Sequence, residues 1–214
     1  MTNMGRTHKM RLLIATGNRG KFKEICALLD GLEILLVPLD RTLAASMPPE
    51  SGDAFQENAR IKAEAAARLS GTVALADDSG LEVDALGGKP GVLSARLGGP
   101  GKTDADRCQL LLDNLIGVPL DRRAARFRCV VAVAEPSGRV QFAEGVCEGR
   151  ITEAPRGAQG FGYDPVFEVP TLGKTLAEVG REIKNRLSHR AQAVLKARAI
   201  LEALLAGSDG HRAG

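Results

Sequence analysis

The sequence predicts an α/β fold with a mixed β-sheet flanked by helices, and three observations support this prediction. Short apolar segments of strand length alternate with longer segments whose apolar residues recur at helical spacing. Residues 125–134 and 139–147 flank Pro136-Ser137-Gly138, which predicts an antiparallel hairpin. The 214 residues are 44% hydrophobic and 26% charged, a composition typical of one globular domain.

The first strand and the first helix are predicted between residues 11 and 30. Residues 11–15 form a short apolar run that ends at Thr16-Gly17-Asn18. Residues 21–30 then carry four apolar side chains at helical spacing, namely Phe22, Ile25, Leu28 and Leu29. The pattern therefore indicates a strand, a tight loop and a helix.

A second strand, a loop and a long helix follow. Residues 33–37 predict the strand, and the proline-containing residues 46–52 predict the loop. Asp53 is a favourable N-cap residue for a helix that runs to about Leu69, and Gly71 is a favourable residue for ending it.

The remaining elements extend the alternation of strands and helices. Residues 72–76 predict a buried strand, and the glycine-rich residues 87–101 predict a long structured loop. Helices are predicted for residues 104–116 and, after the hairpin, for residues 191–206. We expect one domain over residues 10–206.

Both ends of the chain are expected to lie outside this domain. Residues 207–214 are predicted to be a flexible tail. Two interpretations are open for residues 1–9, which are either a flexible extension or sequence upstream of a start at Met10. The first ten residues lack the apolar stretch of a signal peptide, so we expect a cytoplasmic protein.

Composition argues against several classes of protein. The longest uninterrupted apolar run, residues 129–134, is far shorter than the ~18 residues that a membrane span needs. The net charge of +3 does not by itself indicate a nucleic-acid-binding protein. The cysteines form no C-x-x-C pair, so we expect buried thiols rather than a zinc site or disulfides at Cys26, Cys108, Cys129 and Cys147.

The first candidate site is the loop from Thr16 to Lys21, between the first strand and the first helix. Backbone N–H groups at a helix N-terminus, two glycines and a lysine can bind phosphate. The sequence lacks the glycine and hydroxyl positions of a P-loop. A capped turn with a solvated Lys21 is the alternative.

The second candidate site is Asp77-Asp78-Ser79-Gly80, directly after the predicted strand 72–76. Carboxylates at the carboxyl end of a sheet strand lie where α/β folds bind ligands, and their oxygens suit Mg²⁺ beside a phosphate substrate. Glu50 could complete such a site. The alternative is a turn with solvated acids.

The predicted helix after Asp53 carries two polar residues on an otherwise apolar stripe, which consists of Phe55, Asn58, Lys62, Ala65 and Leu69. Burying an amide and an amine without partners is costly, so we expect Asn58 and Lys62 to face a polar cleft. A rotated helix that exposes both is the alternative.

Two further motifs concern base recognition. The segment from Gly160 to Pro165 contains Phe161, Tyr163 and Asp164, and an aromatic ring could stack on a base while the acid contacts its edge. The alternative places these aromatic residues in the core. The basic cluster at residues 181–190 indicates either a solvated helix face or a polyphosphate clamp.

Taken together, these motifs resemble the inosine/xanthosine triphosphate pyrophosphatases, which hydrolyse deaminated purine nucleoside triphosphates to the monophosphate and pyrophosphate. The resemblance spans about Met10 to Leu205. It rests on the order and spacing of Ala15-Thr-Gly-Asn-Arg-Gly-Lys21, Glu57-Asn-Ala59 with Lys62, Ala76-Asp-Asp-Ser-Gly-Leu81, Ala85-Leu-Gly-Gly-Lys-Pro-Gly91, Ser94-Ala-Arg96, Gly160-Phe-Gly-Tyr-Asp-Pro165 and Ser188-His-Arg190.

The resemblance implies an elongated mixed sheet with two lobes around a central nucleotide cleft, usually in a homodimer. It implies that Glu50 and Asp78 bind Mg²⁺, and that Asp78 accepts a proton from the attacking water. It further implies phosphate binding by the loop and helix residues Thr16, Gly17, Asn18, Arg19, Gly20, Lys21 and Lys62.

The resemblance also assigns the remaining substrate contacts. Ser79 is implied to touch the substrate, and the 6-oxo edge of the purine is implied to be read by Lys184, His189 and Arg190. The base pocket is implied to consist of Phe161, Gly162, Tyr163 and Asp164. We expect no membrane association and no stable nucleic-acid partner. Two rival functions are hydrolysis of another modified nucleotide and RNA binding by the basic cluster.

Overall fold

The structure, a computed structural model, describes residues 9–210, and for residues 208–210 only the backbone. Its strands are β1 (Met10–Ile14), β2 (Ile34–Pro38), β3 (Val73–Val83), β4 (Ala124–Ala134), β5 (Val140–Ile151), β6 (Phe167–Val169) and β7 (Lys174–Thr175). Its α-helices are α1 (Arg19–Leu28), α2 (Arg41–Ala45), α3 (Phe55–Ser70), α4 (Asp104–Asp113), α5 (Arg181–Leu187) and α6 (His189–Gly210).

The strands form one sheet in the order β2-β1-β3-β4-β5-β6-β7. β1 runs parallel to β2 and β3, and every later pairing is antiparallel. The predicted mixed α/β sheet is therefore confirmed, and so is the hairpin, which β4 and β5 form along their whole lengths.

Alternating side chains along the strands divide the core between the two faces of the sheet. Leu12 and Ile14 of β1 pack in a cluster with α1 and α6, whereas Leu13 packs in a cluster with α3. β4 alternates in the same way, with Val131 on the α6 side and Val130 on the α3 side. This period of two is the expected geometry of a strand that is buried on both faces.

A third apolar cluster lies at the other end of the long strands. It contains the ends of β3, β4 and β5, together with α4 and β6, and it includes Leu81, Leu111, Phe127, Ile151 and Phe167. The candidate site described below lies between this cluster and the two clusters around β1.

β3 is longer than the sequence predicted. It continues through Asp77-Asp78-Ser79-Gly80 to Val83, because β4 pairs with it from Ala74 to Val83. The interpretation of these residues as a turn is therefore wrong, and the two aspartates lie within a strand rather than after it.

Several helix boundaries also differ from the prediction. α3 begins at Phe55 with Ala54 as its N-cap residue, so the prediction of Asp53 as N-cap was wrong. Gly71 ends α3 in the left-handed conformation, as predicted. α2 was not predicted, although Asp40 caps it by accepting a hydrogen bond from the backbone N of Leu43 at 2.8 Å.

The end of the chain is helical further than predicted. α6 begins at His189 and continues through Gly210, instead of covering residues 191–206. The predictions for residues 1–8 and 211–214 lie outside the described residues. No helix within the described range is long and apolar enough to cross a membrane. The four cysteines are free thiols. Cys108, Cys129 and Cys147 are buried, as expected, whereas Cys26 is partly exposed, contrary to the expectation.

Candidate active site

The site lies where one edge of β3 has no neighbouring strand among the described residues. β1 pairs with β3 only as far as Leu75. The edge is covered again at Leu81, whose backbone N donates a hydrogen bond to Ser94 Oγ at 2.8 Å. Residues 76–80 between these points carry the Asp77-Asp78-Ser79 motif, and a cleft opens beside them.

Asp77 and Asp78 point to opposite faces of the sheet. Leu75 belongs to the cluster on the α6 side and Ala76 to the cluster on the α3 side. Because strand side chains alternate, Asp77 faces α1 and α6, and Asp78 faces α3. The two acids are adjacent in sequence but have different surroundings.

Asp77 is the centre of a buried ion cluster. Its Oδ2 lies 3.0 Å from Lys21 Nζ and 3.2 Å from Arg190 Nε. Ser79 Oγ donates to the same oxygen at 3.3 Å, whereas Oδ1 has no hydrogen-bond partner within the described chain. Burial alone would raise the pKa of Asp77, but the charges of Lys21, Arg190 and Lys62 outweigh burial and hold it far below its usual range.

Asp78 is held on the other face by residues of α3. Asn58 Nδ2 donates to Asp78 Oδ2 at 3.2 Å, and Lys62 Nζ lies 3.6 Å from Oδ1. Burial raises the pKa of Asp78 despite the opposing charges of Lys62 and Lys21. A carboxylate with a raised pKa is a better proton acceptor than an ordinary one.

Lys62 connects Asp78 to Glu50. Its Nζ lies 2.6 Å from Glu50 Oε1 and donates to the backbone O of Asp77 at 2.7 Å, which uses the open edge of β3. Arg96 NH2 contacts the other oxygen of Glu50 at 2.8 Å. The structure thus brings Glu50, Lys62 and Asp78 together across a long sequence separation.

The contacts of Asn58 and Lys62 show that both have polar partners within the protein, so the alternative of a rotated helix that exposes them is wrong. Asn58 also accepts a hydrogen bond from the backbone N of Gly52 at 2.8 Å, which anchors the loop before α3. Leu69 does not belong to the buried stripe, because 41% of it is exposed.

The loop after β1 is organised by Asn18, the N-cap residue of α1. Asn18 Oδ1 accepts hydrogen bonds from the backbone N of Gly20 at 2.8 Å and of Lys21 at 3.1 Å. Thr16 Oγ1 accepts one from the backbone N of Asn18 at 3.2 Å. Gly17 and Arg19 are exposed. The predicted cap exists, but Lys21 is paired with Asp77 rather than solvated.

The segment from Phe161 to Asp164 forms one wall of the cleft. Asp164 Oδ2 accepts hydrogen bonds from the backbone N of Phe161 at 2.8 Å and from Lys184 Nζ at 2.6 Å. Tyr163 is buried and donates its hydroxyl to the backbone O of Ser94 at 2.8 Å. Tyr163 packs in the third apolar cluster, as the alternative proposed, and it also lines the pocket together with Phe161, Gly162 and Asp164.

The basic cluster at residues 181–190 divides into two groups. Arg181 and Arg186 are exposed and fit the solvated-face interpretation. Lys184, His189 and Arg190 are buried and line the pocket. Lys184 Nζ lies 4.7 Å from the centre of the Phe161 ring.

Sequence reasoning missed Glu24 and Phe127. Glu24 lies 2.8 Å from Lys184 Nζ and 2.5 Å from Arg190 NH1, so one carboxylate fixes both cations. The sequence places Glu24 three residues after Lys21, so the two side chains lie on the same face of the predicted helix. This spacing was the available indication that Glu24 lies near the site. Phe127 stacks on His189 with ring centres 4.6 Å apart.

His189 is enclosed in a setting that favours its neutral form. Burial lowers its pKa well below the usual value, and the charges of Arg190 and Lys184 lower it further. Its Nδ1 has no hydrogen-bond partner among the described residues. A neutral imidazole offers one donor and one acceptor to a ligand.

The pocket itself lies between α1, β3, the Phe161–Asp164 segment and the start of α6. The pocket is open to solvent and combines the aromatic rings of Phe127 and Phe161 with several charged side chains. Asn18, Lys21 and Ser79 line it as predicted, together with the Phe161–Asp164 segment and the three buried basic residues. The other predicted site residues lie outside its lining, namely Thr16, Gly17, Arg19, Gly20, Glu50, Lys62 and Asp78.

The approach of α6 to β5 depends on Gly145. A Cβ atom at this position would lie 2.1 Å from the backbone O of His189 and 2.6 Å from the backbone N of Ala193. We expect Gly145→Ala to displace the start of α6, to destabilise the fold by about 2–3 kcal/mol and to reduce nucleotide binding. Thermal denaturation and nucleotide titration would measure these effects.

Gly180→Ala is the matched control for this substitution. Gly180 has φ of −67°, and a Cβ there meets nothing within 4 Å. Gly180 is also the N-cap residue of α5, where alanine caps less well than glycine, so Gly180→Ala should lower stability by about 1 kcal/mol at most and leave nucleotide affinity unchanged. If Gly145→Ala unfolds at the same temperature as the wild type, the start of α6 can shift without a loss of folding free energy, which would contradict the prediction.

The fold and this site place the chain among α/β proteins with a cation-lined cleft at an open sheet edge. The chain belongs to the Ham1 family, whose sequence profile matches residues 12–200. A protein from Desulforamulus reducens named dITP/XTP pyrophosphatase is 50% identical over 195 residues, covering 91% of this chain and 97% of its own. These matches confirm the family that the motifs predicted.

Further relatives give the same result. The dITP/XTP pyrophosphatase of Thermus thermophilus is 50% identical over 194 residues, which covers 91% of both chains. The solved structure of a HAM1 protein from Coxiella burnetii superposes with a TM-score of 0.82 at 41% identity, covering 91% of this chain and 99% of that one.

Proposed function

We propose that this chain hydrolyses the deaminated purine nucleoside triphosphates ITP, dITP and XTP to the monophosphate and pyrophosphate. The observation that carries the proposal is the open edge of β3, which has Lys21 and Arg190 around Asp77 on one face and Lys62 between Glu50 and Asp78 on the other. A triphosphate needs the cations, and its hydrolysis needs a proton acceptor. The names of the relatives agree with this activity.

The phosphates would bind along Thr16, Gly17, Asn18, Arg19, Gly20 and Lys21, with Lys62 on the other side of β3. The N-terminus of α1 supplies backbone N–H groups and a favourable dipole for anions. In the free protein Lys21 and Lys62 are paired with Asp77 and Glu50. Each has further N–H donors that can reach a phosphate without breaking these pairs.

Glu50 and Asp78 fit a Mg²⁺ ion, because both carboxylates converge on a single cation, the Lys62 ammonium, at 2.6 and 3.6 Å. The described residues contain no cluster of three or more metal-binding side chains. Two carboxylates suffice when substrate phosphates supply further oxygens, which is common for Mg²⁺. When bound, the ion would neutralise part of the phosphate charge.

Asp78 is the proposed proton acceptor for the water that attacks the α-phosphorus. Its pKa is raised by burial, which makes it a better proton acceptor than an exposed carboxylate. Asn58 fixes its orientation. Ser79, on the Asp77 side, is the proposed contact to the substrate, and it accepts a hydrogen bond from Arg190 NH2 at 2.8 Å in the free protein.

The base is proposed to bind between the Phe161–Asp164 segment and Lys184, His189 and Arg190. The donors of these residues can bond to the O6 of a 6-oxo purine. Adenine carries an amino group at this position, so buried donors would stay unpaired and binding would weaken by several kcal/mol.

A panel of nucleoside triphosphates with and without Mg²⁺ tests the proposed function. We expect pyrophosphate release from ITP, dITP and XTP with Mg²⁺ and little from ATP. Preferred release from dUTP would support the hydrolysis of another modified nucleotide instead. Salt-sensitive RNA binding without pyrophosphate release would support the RNA-binding alternative.

We also propose that the protein is a cytoplasmic homodimer. The molar mass in solution tests the dimer.

The basic residues should separate into two groups when substituted. Lys21→Ala and Lys62→Ala should lower kcat/KM for ITP and ATP by similar factors, because phosphates are common to both. Lys184→Ala, His189→Ala and Arg190→Ala should instead lower the ratio of ITP to ATP turnover. The kcat/KM values measured for ITP and ATP show for each residue whether it binds the phosphates or the base. An unchanged ITP preference in both His189→Ala and Arg190→Ala would make this segment a phosphate clamp or a structural element.

A further inference from the structure

Arg107 differs from the other cations that line the pocket, because several of its guanidinium N–H groups have no hydrogen-bond acceptor within the described residues. It lies on α4, its side chain is 17% exposed, and it lines the same cavity as Lys21 and Lys184. Its one side-chain hydrogen bond within the described residues is to Asp104 Oδ1, at 3.4 Å. Its Nε is buried without a hydrogen-bond partner in this part of the chain.

The other pocket cations are bound much more tightly. Lys21 Nζ lies 3.0 Å from Asp77, and Lys184 Nζ lies 2.6 Å from Asp164. Arg190 contacts Glu24 at 2.5 Å and Asp77 at 3.2 Å. A desolvated guanidinium with unpaired donors is unfavourable by itself. The pocket wall at α4 therefore suits a ligand atom that accepts hydrogen bonds.

Gly162 connects the Phe161–Asp164 segment to α4, the helix that carries Arg107. The backbone N of Gly162 donates to Asp104 Oδ2 at 2.7 Å, so this residue faces α4. Its neighbours Phe161 and Asp164 instead contact Lys184. Within the segment, Gly162 is therefore held at α4, the helix of Arg107, and Asp164 is held at Lys184, while both cations line the same pocket.

We propose that Arg107 reads the 2-position of the purine and favours the 2-oxo group of xanthine. This inference rests on the proposed function, which places the 6-oxo group at Lys184, His189 and Arg190. A purine presents its 6- and 2-substituents at the two ends of one edge. With the 6-end at Lys184, the 2-end is directed towards α4.

Donor and acceptor matching then ranks the bases. The 2-oxo group of xanthine accepts hydrogen bonds from Arg107. Hypoxanthine has only hydrogen at this position and gains nothing. The 2-amino group of guanine presents donors to a residue that has donors only, which disfavours GTP even though guanine keeps the 6-oxo group.

The test compares kcat/KM for XTP, ITP and GTP in the wild type, Arg107→Met and Arg107→Lys. Met keeps most of the apolar stem without the charge, and Lys keeps the charge without the planar fork. We expect Arg107→Met to lower the XTP/ITP ratio by about tenfold and to raise the GTP/ITP ratio. Arg107→Lys should give intermediate ratios. Calorimetric binding of XMP and IMP should show the same loss of preference for xanthine.

Arg122→Met is the matched control, because Arg122 is exposed and lies outside the pocket lining. It should leave all three substrates unaffected. Unchanged ratios in Arg107→Met, or equal losses for XTP and ITP, would overturn the role of Arg107 while the proposed function stands. A wild-type protein that hydrolyses neither XTP nor ITP would overturn the proposed function, and this inference with it.

Discussion

Asp78→Asn is expected to lower kcat/KM for ITP about a thousandfold and to leave the fold intact. The amide has nearly the same shape and can still accept the hydrogen bond that Asn58 donates at 3.2 Å. It can neither take a proton from water nor offer a full negative charge to Mg²⁺. Activity therefore falls while the packing between β3 and α3 is kept.

Stability should change little, or rise, in Asp78→Asn. Burial raises the pKa of Asp78 in the folded protein, so at neutral pH its ionised form costs folding free energy that a neutral amide does not. Steady-state pyrophosphate release and thermal denaturation at pH 7 without Mg²⁺ measure the two effects. Asp121→Asn, at an exposed position, is the control for the chemical change. A rate decrease below about tenfold would exclude Asp78 as the proton acceptor.

The parts of the fold that were predicted are those that local pattern determines. The hairpin of β4 and β5 follows from alternating residues around a turn, and α3 follows from its spacing and from Gly71. The length of β3 could not be predicted. Asp77-Asp78-Ser79-Gly80 has the composition of a turn, and only pairing with β4 keeps these residues extended.

β6 and β7 were missed for a related reason. They have three and two residues, which are too few to show a period. They exist because β6 pairs with the edge of β5 and β7 pairs with β6. Tertiary pairing of this kind leaves no local pattern in the sequence.

Some contacts of the candidate site follow from the sequence and others do not. The pattern on α3 correctly indicated that Asn58 and Lys62 have polar partners on the buried side of the helix. The opposite directions of Asp77 and Asp78 follow from strand geometry, which applies only once both are known to lie within β3. Glu24 was missed because nothing in the sequence shows that α1 lies against Lys184 and Arg190.

Asp77→Asn is expected to have the opposite effect on stability from Asp78→Asn, although the two positions are adjacent. The Asp77 side chain is fully buried and balances Lys21 at 3.0 Å and Arg190 at 3.2 Å. Removing its charge leaves Lys21 without a carboxylate partner among the described residues, and it leaves the buried Arg190 with Glu24 alone. Breaking a buried pair in this way costs about 3 kcal/mol or more, which for a chain of this length lowers the Tm by about 10 °C.

The pH dependence gives this prediction a sharper test. The pKa of Asp77 is held far below its unfolded value, because the charges of Lys21, Arg190 and Lys62 outweigh burial. Ionised Asp77 therefore stabilises the fold at neutral pH. This stabilisation is lost progressively as the pH falls below about 4, where the unfolded chain takes up the proton. The Tm difference between wild type and Asp77→Asn should therefore be largest near pH 7 and should shrink at pH 3. Activity should also fall, because Lys21 and Arg190 lose their common anchor. If Asp77→Asn keeps the wild-type Tm at pH 7 and loses activity to the same degree as Asp78→Asn, Asp77 acts in the reaction itself rather than by holding the two cations in place.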